Sequence, residues 1–189
     1  MHMTLSATEI RSIQAQADCL HDAASVQQAL DRMAAAISAD LADTLPVVLC
    51  VLNGGIIPTG HLLTRLQFPL EIDYLHATRY RGETSGADVH WLCEPQVDLR
   101  GRTVLVIDDI LDEGHTLTNI LDYCTAAGVA QVRTAVLVQK LHERLATDIR
   151  ADYIGLRVKD RYVFGFGMDY RGYLRNLNGV FALGSGGDE

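Results

Sequence analysis

The sequence predicts an α/β fold in which helices flank both faces of a mostly parallel twisted sheet. Three observations lead to this prediction. Short apolar runs rich in β-branched residues alternate along the chain with stretches of helical period. A glycine turn joins one such run directly to a helical stretch. No linker rich in Pro, Ser or Gly divides the 189 residues, of which 48% are hydrophobic, so we expect one domain, residues 1–189, with one sizeable core.

The chain begins with a predicted N-terminal helical segment, residues 1–45. Within it, apolar residues recur at a helical period from Val26 to about Thr44, with Ser25 placed as the N-cap, which suggests a helical hairpin or flap. A buried strand, a glycine turn and a helix are predicted next, from PVVLCVL (46–52), NGG (53–55) and IIPTGHLLTRL (56–66).

The rest of the chain repeats this alternation around one polar loop. Residues 69–78 alternate in polarity like a strand, and the polar stretch 79–88, with two glycines, is expected to be a mobile loop. The elements predicted after the loop are a short strand, a buried strand, a helix and another buried strand, from VHWLC (89–93), GRTVLVIDD (101–109), 115–127 and RTAVLVQ (133–139). The tail, 184–189, is predicted to be disordered.

Composition excludes several classes of function. The net charge of -8 opposes non-specific binding of nucleic acid, which depends on clustered Lys and Arg. The apolar runs are far shorter than the roughly 20 residues of a membrane span, and the N-terminus lacks a signal pattern, so we expect a soluble cytoplasmic protein without a membrane partner. The four cysteines show no CxxC spacing, which favours buried reduced thiols over disulfides or zinc.

Two vicinal carboxylates, Asp108 and Asp109, end one of the buried strands. Because parallel sheets bind ligands at the carboxyl ends of their strands, we expect both side chains to point into the crevice there. Such a pair can accept hydrogen bonds from two sugar hydroxyls or hold Mg²⁺ directly or through water. Taken alone, the pair is equally compatible with a solvated strand-end turn or a helix N-cap cluster.

The next residues, DEGHT (112–116), open the predicted helix with a glycine turn. Consecutive backbone N–H groups there converge at the positive end of the helix dipole and form an anion cradle. Gly114 lets the chain approach a phosphate closely, and the Thr116 hydroxyl can add a hydrogen bond. One turn therefore offers carboxylates for hydroxyls and a metal ion beside amides for a phosphate, which suits a phosphorylated sugar.

The stretch VLVIDDILDEGHTL (104–117) resembles the phosphoribosyl diphosphate motif of the type I phosphoribosyltransferases. Within this family, LNGG (52–55) and DRYVFGFGMDYRGYLRNL (160–177) resemble the hypoxanthine-guanine phosphoribosyltransferases of the short bacterial type, and the resemblance covers residues 25–183. It implies the type I phosphoribosyltransferase fold with a small flap or hood. It also implies an enzyme that makes IMP or GMP from a 6-oxopurine and phosphoribosyl diphosphate with Mg²⁺, releasing pyrophosphate.

By this resemblance, Asp108 and Asp109 match the acidic pair that binds the ribose hydroxyls and, through them or water, Mg²⁺. The family usually has Glu followed by Asp at these two positions, whereas both are Asp here. Asp112 matches the carboxylate that acts as general base or proton partner at purine N7 while N9 attacks C1′. Varied side chains occur in the family at His115, which we interpret as a solvated cradle residue and not as a catalytic one. The residues that match the 5′-phosphate cradle, chiefly through their amides, are Glu113, Gly114, His115 and Thr116.

LNGG matches the family's pyrophosphate loop, which contains Asn53 and Gly54, and implies a non-proline cis peptide near Leu52-Asn53. Relatives often carry Lys or Arg where Asn53 stands, so one expected cation is missing. Our hypothesis is that Arg79, where relatives commonly have Ser, restores this charge on loop closure. Residues 79–90 match the flexible lid that excludes water from the reaction; a surface loop without a role is the alternative.

The resemblance places the purine between Lys140, which contacts the 6-oxo oxygen, and Tyr162, which stacks on the base, with main-chain groups of Val163 reading its edge. Asp169 matches a carboxylate that ligates a second Mg²⁺, and Arg175 an arginine that reaches pyrophosphate. From the residues alone, the alternative for Lys140 is a lysine that extends into solvent, which its place at a strand end makes the less favoured interpretation. Tyr162 and Val163 would be strand core, and Asp169 with Arg175 could be an ordinary surface ion pair.

Two other classes of function compete with the transferase. One is a regulator of the same fold that binds a nucleotide and RNA, like the pyrimidine-operon attenuation proteins; the net negative charge and the absence of a basic stripe oppose it. The other is a phosphate-metal hydrolase or receiver-type switch, which leaves Lys140, Tyr162 and the lid unexplained. Because the family generally forms dimers or tetramers, the resemblance implies a homodimer or homotetramer.

Overall fold

The computed structural model describes residues 5–79, 89–142, 144 and 149–184, with the backbone alone for residues 78, 79, 89 and 90. Its helices are α1 Ala7–Gln16, α2 Ala23–Leu41, α3 Ile56–Leu63 and α4 His115–Ala126. Its strands are β1 Asp18–His21, β2 Val47–Leu52, β3 Glu71–Arg79, β4 Val89–Cys93, β5 Thr103–Leu111, β6 Gln131–Leu141, β7 Tyr153–Lys159, β8 Val163–Phe164 and β9 Val180–Ala182.

A six-stranded sheet in the order β4-β3-β2-β5-β6-β7 forms the centre of the fold. All neighbouring strands are parallel except β4, which pairs antiparallel with β3 at one edge. From β2 the chain first builds β3 on one side and later returns as β5 on the other. The strand order therefore reverses between β2 and β5, and a crevice for ligands is expected at their carboxyl ends. The predicted α/β class with a mostly parallel sheet is confirmed.

Helices cover both faces of this sheet because its central strands are apolar on both sides. In β5, Leu105 and Ile107 pack in one core cluster with α2 and α3. Val104 and Val106 of the same strand pack in a second cluster with α4. Successive strand residues point to opposite faces, so the continuous run of buried residues in β5 fills two cores at once.

A smaller antiparallel sheet, in the order β1-β9-β8, joins the N-terminal part of the chain to the C-terminal part. β1 pairs with β9, and Tyr162 comes just before β8. Sequence patterns predicted a helical segment for residues 1–45, but Asp18–His21 forms strand β1 within it. Four residues between two helices carry too little periodicity to reveal a strand that depends on a partner about 160 residues later.

Several predicted boundaries were wrong. Helix α2 begins after Asp22, whose carboxylate accepts a hydrogen bond from Ser25 N at 2.8 Å, so Asp22 is the N-cap and Ser25 lies inside the helix. Both residue types cap helices well, and the tertiary position of the chain selects the earlier one. The helix ends at Leu41, before the predicted Thr44, whose hydroxyl donates to the Leu41 carbonyl at 2.8 Å.

The strands that approach the crevice are longer than their apolar runs predicted. β5 continues to Leu111 and β6 to Leu141, and β7 was not predicted at all. Helix α3 ends at Leu63, short of residue 66. Residues 80–88 of the predicted loop and 185–189 of the predicted tail lie outside the described part of the chain, and the single-domain organisation stays a prediction.

Among the described residues, no helix is both long enough and apolar enough to cross a bilayer. The four cysteines are all free; Cys50 and Cys124 are buried, while Cys19 is exposed. The cytoplasmic location stays a prediction.

Candidate active site

A cavity of about 180 Å³ opens at the carboxyl ends of the central strands. Three segments of the chain form it: the end of β5 with the following turn, the end of β6, and the C-terminal segment around β8. The residues that line it are Asp109, Ile110, Asp112, Lys140, Tyr162, Val163, Met168 and Asp169. The structure thus brings together six residues that the sequence predicted for the site.

The vicinal carboxylates are buried in the strand end. Asp109 lines the cavity, whereas Asp108 is not among its lining residues, and the Oδ1 of Asp108 accepts a hydrogen bond from the Asp109 N–H at 2.8 Å. Burial raises the pKa of Asp108, and the charge of Asp109 raises it further. Burial also raises the pKa of Asp109. Arg175 Nη1 lies 3.8 Å from Asp109 Oδ2, too far for a hydrogen bond.

Asp169 and Arg175 form an ion pair beside the acidic pair. Arg175 Nη2 is 2.6 Å from Asp169 Oδ1, and its Nη1 donates to the carbonyl of Gly167 at 2.6 Å. The other oxygen of Asp169 accepts from the N–H of Gly172 at 2.6 Å. The Arg175 guanidinium therefore makes a short ion pair with Asp169 and a longer ionic contact with Asp109. The carbonyl of Gly167 fixes its orientation.

The glycine turn of the pyrophosphate loop packs against Asp109. The peptide Leu52-Asn53 is cis, as the resemblance implied, and Asn53 is exposed. A Cβ added at Gly54 would lie 2.0 Å from Asp109 Oδ2, so the loop backbone touches the carboxylate directly. Gly54 is accordingly a close-approach glycine, and neither loop residue is among those that line the cavity.

Helix α4 begins at the predicted cradle. Gly114 is its N-cap with φ of 88°, a left-handed conformation that favours glycine, and a Cβ there would lie 2.4 Å from Ile149 Cγ2. The first N–H groups of a helix have no acceptor within the helix, and this N-cap offers no side-chain acceptor. His115 begins the helix, with Nε2 3.9 Å from Glu113 Oε2, and the side chain of Thr116 is half-buried.

Asp112 is the centre of a polar network. Its Oδ2 accepts from Lys140 Nζ at 2.8 Å, and its Oδ1 lies 2.8 Å from His142 Nε2. Burial of Asp112 favours its neutral form, but the hydrogen bonds with Lys140 and His142 outweigh burial, and the pKa of this carboxyl is lowered. Asp112 is therefore an ionised acceptor at the mouth of the cavity.

The same network contains three potential metal ligands, because atoms of Asp112, His142 and Asp160 lie within 4.8 Å of one another. The Lys140 ammonium stands among them, 2.8 Å from Asp112 Oδ2 and 3.8 Å from Asp160 Oδ1. Arg144 Nη2 is 2.5 Å from the other oxygen of Asp160. These cations already balance the carboxylates, so the cluster is a set of ion pairs and not a metal site.

Besides Lys140, two more residues predicted to bind the purine line the cavity, and they differ in exposure. Tyr162 is 45% exposed, with its ring edge-on to Tyr170 at a centroid distance of 5.5 Å, so one face can receive a planar base. Val163 is buried at the start of β8, where it pairs with Ala182. Arg79 is described only through its backbone at the end of β3; the side chain and residues 80–88 of the predicted lid lie outside the described residues.

Sequence patterns missed three residues of this site. Ile110 and Met168 line the cavity, and His142 bonds to Asp112. Ile110 could have been found from its place between the two acidic positions of the motif. His142 follows Lys140 by two residues, and a strand extended past Lys140 would place both on one face.

Comparison with known proteins identifies what this arrangement resembles. Residues 16–171 match the family model described as phosphoribosyl transferase domain. A hypoxanthine-guanine-xanthine phosphoribosyltransferase of Tritrichomonas foetus is 32% identical over 158 residues, covering 84% of this chain and 86% of the relative. A hypoxanthine-guanine phosphoribosyltransferase of Staphylococcus epidermidis is 33% identical over 153 residues, covering 80% of this chain and 85% of the relative.

Solved structures show the same relationship. A hypoxanthine phosphoribosyltransferase from Staphylococcus aureus superposes with a TM-score of 0.84 at 25% identity, covering 95% of this chain and 96% of that one. A hypoxanthine-guanine-xanthine phosphoribosyltransferase superposes with a TM-score of 0.81 at 29% identity, covering 88% of this chain and 96% of that one.

Proposed function

The chain belongs to the phosphoribosyltransferase family, and on this premise we propose that it is a purine salvage enzyme. It transfers the 5-phosphoribosyl group of phosphoribosyl diphosphate to N9 of hypoxanthine or guanine, and it releases IMP or GMP and pyrophosphate. The single observation that carries this proposal is the cavity in which Asp109, Asp112, Lys140, Tyr162 and Asp169 meet. In this proposal Lys140 and Tyr162 bind the base, Asp109 binds the ribose, and Asp169 acts at the leaving group.

Recognition of the base depends on Lys140 and Tyr162. Only 12% of the Lys140 side chain is exposed, and its ammonium, which can only donate hydrogen bonds, suits the oxygen of a 6-oxopurine. Adenine would present its own amino donor to the ammonium, and two facing donors oppose binding. Tyr162 stacks on the ring, and the main chain of Val163 reads its edge.

The transfer step requires that N7 of the purine lose its proton when N9 bonds to C1′, because the product nucleotide carries no proton at N7. Asp112 is the acceptor for that proton, and its two hydrogen bonds keep it ionised until the step occurs. As pyrophosphate departs, positive charge develops on the ribose ring. Asp109 and Asp108 stabilise this charge electrostatically and accept hydrogen bonds from the ribose hydroxyls.

The 5′-phosphate binds at the start of α4, against the N–H groups of the turn around Gly114. This position uses the uncapped first turn and the positive end of the helix dipole. Glu113, His115 and Thr116 complete the cradle. The pyrophosphate lies against the loop of Asn53 and Gly54, whose backbone packs against Asp109.

Arginine side chains supply positive charge beside the pyrophosphate. Arg175 is already oriented by Asp169 and the Gly167 carbonyl. Arg79 adds the charge that Asn53 lacks when the lid closes, so Arg79→Ala should raise the KM for phosphoribosyl diphosphate or lower kcat. Unchanged values of both constants would exclude this role for Arg79.

The buried acidic pair fits a divalent cation. Burial disfavours two adjacent charged carboxylates, and the cation beside them among the described residues, Arg175, is 3.8 Å from Asp109. Asp169, and Asp108 and Asp109 directly or through water, would hold Mg²⁺, a hard ion that prefers oxygen ligands. When bound, Mg²⁺ supplies positive charge to the departing pyrophosphate.

The enzyme is a homodimer or homotetramer that associates through an apolar face of α3 and β3. Ile56, Ile72 and Tyr74 are about half exposed there, at 51%, 53% and 47%, and they line an apolar cavity of about 410 Å³. Exposed apolar side chains in one patch are typical of a contact between proteins. Light scattering should give a molar mass of two or four times 20.7 kDa, the mass of one chain. Ile72→Asp places a charge in the contact and should lower the measured mass. A monomeric wild-type protein would exclude this assembly.

A spectrophotometric assay of hypoxanthine, guanine, xanthine and adenine with phosphoribosyl diphosphate and Mg²⁺ tests the activity directly. Nucleotide should form from hypoxanthine or guanine, and EDTA should abolish the reaction. Asp112→Asn should lower kcat by about 10²–10⁴-fold, the usual contribution of a positioned base. Asp122→Asn, an exposed carboxylate on α4, is the matched control and should leave kcat unchanged.

Other outcomes would exclude the proposal. Nucleotide formation from adenine alone would contradict the role of Lys140. Release of phosphate without a purine would indicate a hydrolase, and salt-dependent retention of RNA without transfer would indicate a nucleotide-sensing regulator.

A further inference from the structure

His142 lies just past the end of β6, next to the proposed proton acceptor. Its side chain is only 5% exposed, and its Nε2 is 2.8 Å from Asp112 Oδ1. Lys140, two residues earlier, bonds to the other oxygen of the same carboxylate. The end of one strand therefore clamps both oxygens of Asp112.

The second ring nitrogen determines which proton His142 carries. Its Nδ1 lies 3.0 Å from the backbone N of Arg144. A backbone N–H can only donate, so Nδ1 must be the acceptor and has no proton. In the neutral ring the proton is then on Nε2, which donates to Asp112. The main chain of residue 144 thereby selects the tautomer that faces the carboxylate.

The charges around this contact favour an ionised Asp112. Lys140 lies 2.8 Å from Asp112 Oδ2, and Asp160 draws on the same ammonium from 3.8 Å. Arg144 pairs in turn with Asp160 at 2.5 Å. In the proposed reaction Lys140 also donates a hydrogen bond to the 6-oxo oxygen of the purine, so its hydrogen bond to Asp112 changes when a base enters the cavity. Among the described contacts, the Nε2–H of His142 has no acceptor other than Asp112.

We propose that His142 is a positioning residue that holds Asp112, through its Nε2–H, as the ionised acceptor for the N7 proton of the incoming purine. This inference rests on the proposed function, because it assigns His142 a role in that reaction. His142 touches neither substrate; it acts by fixing the orientation of Asp112 and by stabilising the negative charge while Lys140 moves to the base.

A purely structural role for His142 would be to anchor the chain after β6 through the Arg144 N–H. Two substitutions separate the roles by geometry. In His142→Gln the terminal amide nitrogen replaces Nε2, so the donor to Asp112 is kept. In His142→Asn the shorter side chain places its oxygen near the position of Nδ1, so the bond with Arg144 is kept and the donor to Asp112 is lost.

The experiment compares pH profiles of kcat/KM for hypoxanthine in the wild type, His142→Asn and His142→Gln. His142→Asn should lower kcat/KM at least about tenfold, the value of a hydrogen bond to a charged group, mainly through kcat. The acid limb of the kcat/KM profile of His142→Asn should move to higher pH, because the Asp112 carboxylate is protonated more easily when it accepts one hydrogen bond fewer. His142→Gln should restore both the rate and the acid limb.

Several results would overturn the proposal. A His142→Asn profile that overlays the wild type would show that the donor is unnecessary, and equal losses in both variants would show that only the ring matters. If His142→Asn does not fold, ¹⁵N shifts of the wild-type histidine remain decisive: an Nε2–H tautomer is expected, and an Nδ1–H tautomer would exclude the proposal. A wild-type protein without transferase activity would refute the proposed function instead, whatever the tautomer.

Discussion

Replacing Gly54 with alanine perturbs the contact between the pyrophosphate loop and the acidic pair. The added Cβ would lie 2.0 Å from Asp109 Oδ2, 2.3 Å from its Cγ and 2.7 Å from its Oδ1. Ordinary contact begins at 3.4 Å, so the nearest pair is 1.4 Å too close. The carboxylate of Asp109 is buried in the strand end, and either it or the loop must move.

The cost has two parts. Inserting a methyl group into a closely packed site lowers stability by about 1–3 kcal/mol. A displacement of about 1 Å in a group that positions substrate can lower the rate by about 10²-fold. We therefore expect Gly54→Ala to lower the free energy of unfolding by about 1–3 kcal/mol and kcat/KM for phosphoribosyl diphosphate by about 100-fold.

Gly60 provides the matched control, because it lies in α3 and a Cβ there would meet nothing within 4 Å in the same chain; since Gly60 also lines the apolar cavity of the proposed subunit contact, particle size has to be measured with it. Gly60→Ala should raise stability by about 0.5–1 kcal/mol, the usual gain for alanine over glycine inside a helix, with unchanged kcat/KM. Urea unfolding and steady-state kinetics are measured for both variants and the wild type, together with particle size. A Gly54→Ala protein with the wild-type urea midpoint and wild-type kcat/KM would refute the contact with Asp109.

Three further predictions concern the cradle, the acidic pair and the thiols. Gly114→Ala should lose about 1–2 kcal/mol of stability and raise the KM for phosphoribosyl diphosphate, because φ is 88° and the new Cβ would lie 2.4 Å from Ile149 Cγ2; wild-type values of both would contradict this. Burial raises the pKa of the Asp109 carboxyl above its ordinary value of 3.8, so the folded protein favours the protonated carboxyl. The stability that this protonation contributes is fully present below pH 3.8 and is lost as the pH rises through the raised pKa. Measured without metal, the stability of Asp109→Asn relative to the wild type in urea unfolding should accordingly be greater at pH 8 than at pH 4; a difference that is the same at both pH values would contradict this. In thiol titration of the native protein, exposed Cys19 should react first, whereas Cys124, whose pKa burial raises to about 11, should react only on unfolding.

The fold was predictable where one strand fills two cores. The run TVLVI of β5 is apolar on both faces, and only a covered parallel sheet provides such an environment. Strand β1 and the extension of β6 to Leu141 were not predictable, because their pairing with β9 and β7 depends on distant segments. The N-cap Asp22 was missed because Ser25 satisfies the same local rule.

The site was predictable to a similar extent. Asp109, Asp112 and Lys140 meet because parallel strands end at one edge, which their positions after apolar runs already indicated. The bond between His142 and Asp112 was not predictable, because it requires the length of β6 and the backbone direction at Arg144. The roles of the predicted residues toward substrates stay predictions.

A crystal structure with bound GMP or IMP tests the central claim most directly, namely that the end of β5 binds the ribose and the start of α4 binds the phosphate. The 5′-phosphate should accept hydrogen bonds from the N–H groups of the turn at Gly114, with the ribose hydroxyls on Asp108 and Asp109 and the base between Lys140 and Tyr162. A nucleotide bound with its phosphate away from that turn would contradict the claim.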